Sequence, residues 1–345
     1  MLALTACSPS PVPSYSSNTP TQILTTLDSA GVRDLRTAYR AALCPRLPAA
    51  GAQCDDVLLR LADEVGPPAP FTPRSETRER YRIAFVPGFL AECFGEMARP
   101  FADVMDELAR AGFAVHYLAT SGRGGTEHNS AELAAQLTAM PPDPRPFIVF
   151  AHSKGLLDML SLLARYPQTA PQIAALVSVA GAMNGSPLAD RLNPAFRKWL
   201  SALPMRRCQR GDGGEFEDLR REVRLAWWHR HRASITTPVF ALVTTPRVDR
   251  ISPLLKEMYE ELANVEPRND GQLLWYDQIT PGGNLLGYVN ADHWGIGVSV
   301  SDTVPPARLL IRDDVPRAAL VQAAIEVVDS VLDTSSGTAP AAPPR

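Results

Sequence analysis

The chain has 345 residues, 45% of them apolar and 21% charged, with a net charge of −3, 32 prolines and 22 glycines. That length and apolar content support a sizeable core and exclude disorder of the whole chain, whose signature is low hydrophobicity with high net charge. The charge balance argues against nucleic acid as the main partner, because phosphate binding needs a concentrated basic surface. Only three of the 34 basic residues are lysine: Lys154, Lys198 and Lys256.

In chain order, Leu4-Thr5-Ala6-Cys7 comes first. It resembles a bacterial lipobox, in which small residues precede a cysteine that is lipidated and becomes the mature N-terminus. A basic start and a full apolar run are missing, and the plain alternative is a chance cysteine. Residues 1–20 read as this lipobox-like start plus a Ser/Pro/Asn-rich tether. Residues 21–70 read as a helical extension, with Leu24, Leu27, Val32, Leu35 and Tyr39 near a helical period, closed by the Pro67-Pro68-Ala69-Pro70 connector. No later stretch approaches the ~20 apolar residues that span a bilayer. With Cys7 lipidated, Cys44, Cys54, Cys93 and Cys208 form an even set, as in exported proteins with two disulfides. Cys44 and Cys54 flank a turn-like segment and are the natural pair, leaving Cys93 with Cys208; four free thiols are the alternative.

From residue 71 to 332 a regular alternation runs. Arg82–Val86, Phe113–Leu118, Phe147–Phe150, Ile173–Ala180 and Pro238–Val243 read as strands, and Leu273–Tyr276 is a further short apolar run taken with them. Met97–Ala111, Ala131–Met140, Gly155–Tyr166, Leu254–Leu262 and Pro316–Leu332 read as helices. Uninterrupted apolar strands separated by helices predict an α/β fold, a mostly parallel sheet covered on both faces. Residues 183–233 interrupt the pattern with a helical, charged insertion carrying Trp199, Trp227 and Trp228. Residues 333–345 read as a disordered tail.

Ala151-His152-Ser153-Lys154-Gly155 falls directly between a predicted strand and helix. A serine held in a sharp turn there projects its oxygen above the sheet, and the residues two before and two after must be small. An ordinary helix N-cap serine is the bland reading. In this context the chain resembles the α/β-hydrolase superfamily, over about residues 80–332, and is similar to bacterial secreted lipases and esterases. The resemblance implies Ser153 as nucleophile and an acyl-enzyme route. It also implies an oxyanion hole from two backbone N–H groups. One is that of Lys154. The other lies in Val86-Pro87-Gly88-Phe89-Leu90, where Pro87 replaces the histidine of the His-Gly loop of lipases; Phe89 is the expected donor, Leu90 the fallback.

The superfamily's order is serine, acid, histidine. Of the six histidines, His116, His128, His152, His229, His231 and His293, only His293 follows the last strand. His116 reads as structural, His128 as part of a polar loop, and His229 and His231 as solvent-facing or lining the insertion. For the acid, Asn269-Asp270-Gly271 resembles the acid motif of secreted lipases of Gram-negative bacteria, and Asp270 precedes His293 by 23 residues. Asp249, after a strand, is the main rival; Asp277 and Asp292 are others. Those lipases hold a calcium through an acidic residue shortly after the histidine. Here Trp294-Gly295-Ile296-Gly297 follows, so no metal is expected, and no cofactor.

Together these features predict an exported, lipid-anchored serine hydrolase of the bacterial cell envelope, acting on small-molecule or lipid esters through Ser153, Asp270 and His293. An acyltransferase, a thioesterase or a polyester depolymerase would use the same triad. The rival from another class is a non-catalytic binding lipoprotein on a hydrolase scaffold. The insertion is expected to act as a cap whose apolar residues supply an acyl pocket, anchored beside the site by Cys93–Cys208; simple padding is its bland reading.

Overall fold

The structure, a computed structural model, describes residues 31–47, 53–60, 64, 71–72, 76–95, 98–202, 208–300 and 309–336. Cys7, the tether, Leu24, Leu27, the proline connector and residues 337–345 lie outside them.

An eight-stranded sheet organises the molecule. Its strands are β1 (Arg33–Asp34), β2 (Leu58–Leu59), β3 (Arg82–Val86), β5 (Val115–Tyr117), β6 (Phe147–His152), β7 (Ile173–Val179), β8 (Val239–Thr244) and β9 (Asn284–Val289). The order is β1-β9-β8-β7-β6-β3-β5, parallel throughout, with β2 added antiparallel to β9. β4 (Ala98–Pro100) and β10 (Val298–Val300) form a separate antiparallel pair.

Alternate residues of a strand point to opposite faces, so a sheet covered on both sides needs apolar residues at every position. Ile83, Phe85, Ile148, Phe150 and Val177 face one layer, which holds Tyr39 and Leu43 of α1 (Arg36–Leu43), Val104 and Leu108 of α2 (Ala102–Arg110), and Leu320 and Val328 of the C-terminal helix. Ala84, Val86, Phe147, Val149 and Leu176 face the other, with Leu133 and Leu137 of α3 (Thr126–Ala139) and Leu156, Met159 and Leu160 of α4 (Lys154–Arg165). Every residue of β3 and β6 is buried.

The insertion contains α5 (Pro187–Arg191), α6 (Pro194–Ala202), a turn of helix at Gly214–Glu217, and α7 (Arg221–His231). Its Trp227 and Trp228 pack on the α3–α4 layer. α8 (Lys256–Ala263) and α9 (Arg317–Ser336) complete the helices. Among the described residues no helix is long and apolar enough to cross a membrane.

Four readings need correction. The expected helix from Met97 starts only at Ala102. Pro100 disfavours helical backbone at the residue before it, so Ala98–Pro100 pairs with β10, and Phe101 turns the chain at φ 58°. The run Leu273–Tyr276 is not a strand but leads into a 3-10 turn, Trp275–Gln278. The last strand is Asn284–Val289, whose apolar run is interrupted by Gly287; Tyr39 and Leu58 pack over that glycine. The extension is not wholly helical: β1 and β2 both dock on the outer edge of β9 and cover backbone groups that an edge strand leaves unpaired. Tyr39 Oη anchors α1 by donating to the Leu320 carbonyl at 2.8 Å. Finally, α9 runs to Ser336, beyond the expected end at Leu332.

Candidate active site

Ser153 stands at the junction of β6 and α4 with φ 54° and ψ −123°, a backbone state rarely adopted by a residue with a side chain. The packing explains the small residue after it: a Cβ at Gly155 would lie 2.5 Å from the Pro87 carbonyl oxygen. Ser153 occupies the N-cap position of α4, yet its side chain makes no capping hydrogen bond. Its Oγ lies 2.8 Å from His293 Nε2 instead. The plain N-cap reading fails on that geometry.

His293 Nδ1 lies 2.8 Å from Asp270 Oδ2, completing a chain from hydroxyl to carboxylate. A carboxylate only accepts, so Nδ1 carries the hydrogen and Nε2 is left to accept from Ser153. Asp270 is fully buried. Its Oδ1 accepts from the backbone N–H groups of Gln272 and Leu273 at 2.9 and 2.7 Å. Its Oδ2 accepts from Thr244 Oγ1 at 2.6 Å and Gln278 Nε2 at 3.3 Å as well as from the imidazole. Five donors around one carboxylate hold it in position.

The rival acids lie elsewhere. Asp249 is exposed, in a 3-10 turn beyond β8. Asp277 is buried against Arg221 Nη2 at 3.2 Å. Asp292 turns away from its neighbour His293 and folds the histidine loop: Oδ1 accepts from the N–H groups of Trp294 and Gly295, Oδ2 from that of Ser252. Thr244 and Gln278 were not legible as site residues. Thr244 ends β8 in a sequence position open to any strand residue, and the 3-10 turn carrying Gln278 resembled a strand.

Leu90 N–H is bound to the Gly122 carbonyl at 2.7 Å, which removes the fallback oxyanion donor. The Phe89 N–H has no hydrogen-bond partner among the described residues, and Lys154 opens α4, where an N–H has no intrahelical acceptor. The Lys154 ammonium is buried and pairs with Asp158 at 2.6 Å, so only its backbone is presented to the site. Asn129 Nδ2 also donates to Asp158, at 2.8 Å.

A cleft opens over Ser153 and His293, walled by Phe89, Leu254, Trp294, Val298 and Ile311. The expected apolar pocket from the insertion is not what the structure holds. No described residue of the insertion lines this cleft, and its Trp227 and Trp228 are used against the α3–α4 layer. Phe216 reaches only the outer side of Phe89, ring to ring at 5.2 Å. The insertion is nevertheless tied to the oxyanion side by the Cys93–Cys208 disulfide and by Glu92 Oε1, which accepts from Gln209 N. Cys44–Cys54 is the second disulfide. Of the other histidines, His116 stacks edge-on to Phe147, His229 is exposed, and His231 lies against Trp227. His128 lies in α3, not a loop, paired with Glu132. Among the described residues no group of acidic, histidine and cysteine side chains is arranged to hold a metal ion.

The strand order, the sharp turn at the end of β6 and the placement of Ser153, Asp270 and His293 at the carboxyl ends of the strands describe one known architecture. The metagenomic carboxyl esterase MGS0156 is similar to this chain at 32% identity, over 92% of this chain and 97% of that one, with a TM-score of 0.82. The chain belongs to the α/β-hydrolase superfamily. The mature lipase BlEst2 of Bacillus licheniformis is 20% identical over 65% of this chain and 87% of its own, TM-score 0.51. The Staphylococcus hyicus lipase is 12% identical over 77% and 99%, TM-score 0.51. At those identities the likeness is one of fold. No protein-family model and no curated protein matches the chain.

Proposed function

We propose that this α/β-hydrolase is a carboxylic ester hydrolase that works through an acyl-enzyme on Ser153. The observation that carries the reading is the unbroken chain Ser153 Oγ–His293–Asp270 on the floor of an apolar cleft. As Ser153 Oγ bonds to the ester carbonyl carbon, its proton passes to His293 Nε2, and Asp270 stabilises the imidazolium. The N–H groups of Phe89 and Lys154 receive the developing oxyanion. Collapse breaks the bond to the alcohol, which leaves with the proton from His293. Water then repeats the sequence on the acyl-enzyme, releasing the acid and restoring Ser153. The similar metagenomic carboxyl esterase supports esters as the substrate class.

A fluorophosphonate probe is expected to label Ser153 and nothing in Ser153→Ala. Asp270→Asn is expected to keep the fold and lose about four orders of magnitude in kcat on p-nitrophenyl butyrate, since the imidazole tautomer is no longer set. A folded protein that neither labels nor hydrolyses any p-nitrophenyl ester rejects the reading. We further infer export and anchoring through a lipidated Cys7, which the two disulfides support. Cys7→Ser would then move the protein from the membrane to the soluble fraction.

A further inference from the structure

His152 precedes the nucleophile and belongs to neither the triad nor the oxyanion hole. It is buried at 4% exposure, yet forms part of the cleft wall. Its Nε2 lies 2.8 Å from the backbone carbonyl of His293. A carbonyl only accepts, so Nε2 carries the hydrogen and donates. The N–H of the same residue, His293, donates to the Asp270 carbonyl at 3.0 Å. The backbone of His293 is therefore held from both sides, by the acid's main chain and by the His152 ring.

The ring is itself confined. It lies 5.1 Å from the His293 ring and meets Phe101 edge-on at 6.2 Å. A Cβ at Gly88 would come within 3.3 Å of its Nδ1, and one at Gly297 within 2.7 Å of its carbon edge. One imidazole thus touches the elbow, the oxyanion loop, the histidine loop and the approach to β10.

We propose that His152 is a positioning residue: it sets the height of His293 above Ser153 by holding the His293 carbonyl, and ties that loop to the oxyanion loop at Gly88. The proposal rests on the triad reading given above. The charged and titratable groups facing the ring are His293 and, beyond it, Asp270; Phe101, Gly88 and Gly297 bring none. Burial, with the His293 charge second, pushes the His152 pKa down to about 3. It therefore stays neutral when His293 becomes imidazolium and does not oppose that charge.

The test compares His152→Leu, which cannot donate, with His152→Gln, whose Nε2 can reach the same carbonyl. Because a misplacement near 1 Å costs up to about 100-fold, His152→Leu is expected to lower kcat by about tenfold or more, with KM little changed. His152→Gln is expected to restore kcat. A folded His152→Leu enzyme with the parent's kcat overturns the proposal, and so does a glutamine variant no better than leucine. If leucine fails to fold, His152→Asn, whose shorter amide stops short of the carbonyl, takes its place under the same criteria. Ser153→Ala in the parent separates the two readings: activity that survives it defeats the triad, whatever His152 does.

Discussion

At the scale of single residues, what separates the carboxylates near the site is what surrounds each one. Asp270 has five donors, Asp292 spends its oxygens on backbone N–H groups, and Asp249 faces solvent. The sequence marks Asp270 through a local motif, but its supporting Thr244 comes from a strand 26 residues earlier, and no local pattern announces such a partner. In the sequence His152 is marked only as the neighbour of Ser153, because its partner is a carbonyl 141 residues away. Its burial also has a consequence for stability. In the fold it resists protonation down to about pH 3, whereas the unfolded imidazole has its ordinary value of 6.5. Unfolding therefore takes up a proton between those values. This contribution to stability is complete above about pH 6.5 and is lost as pH falls, by up to about 1.4 kcal/mol per pH unit. Urea unfolding between pH 6 and 4 is expected to show a shallower pH slope in His152→Gln than in the parent; equal slopes would mean the folded ring already carries its proton.

At the scale of elements, apolar runs identified β3, β6, β7 and β8, because a strand buried on both faces has a sequence that few other elements share. β9 escaped because Gly287 breaks its run and because the extension, distant in sequence, completes its environment. The insertion was legible as an interruption, but its composition did not reveal which face it covers. Two links connect it to the helical turn Ala91–Phe94 that follows the oxyanion loop: the Cys93–Cys208 disulfide and Glu92, whose other oxygen, Oε2, accepts from Gly122 N. Cys93 and Cys208 are 115 residues apart, so the cross-link restrains a long stretch of unfolded chain. Replacing both by serine is expected to lower the unfolding free energy by about 2–5 kcal/mol. It is also expected to reduce kcat/KM, because the loop that carries Phe89 loses one of its ties to the insertion. Guanidinium titration and p-nitrophenyl butyrate kinetics measure the two effects separately. A loss of stability with unchanged kcat/KM would show that Glu92 and the Phe89–Phe216 contact are enough to hold the loop.

At the scale of the whole molecule, β1 begins beside the amino end of β9, where Arg33 N meets the Gly283 carbonyl, while the cleft opens at the strands' carboxyl ends. The catalytic pole also collects apolar surface. Among the described residues the exposed large apolar side chains are Val248, Leu254, Leu309 and Leu310. Leu254 N donates to the Leu310 carbonyl, so two of them share one ridge, and Leu254 and Ile311 continue it into the cleft. This ridge is braced from the site itself: Asp292 accepts from Ser252 N, and Ser252 Oγ accepts from Arg312 N. An ester chain long enough to leave the cleft would therefore run over leucine rather than into water. Each methylene that reaches the ridge is worth up to about 0.8 kcal/mol, or about fourfold in kcat/KM. Across p-nitrophenyl esters of rising acyl length, kcat/KM is expected to climb until the ridge is covered and then level off. In Leu254→Ser/Leu310→Ser the short esters should keep their rates while the climb flattens. If acyl length has no effect in either protein, a series of butyrates with lengthening alcohols asks whether the ridge serves the other side of the ester. A flat response in both series would leave the ridge without a role in substrate choice.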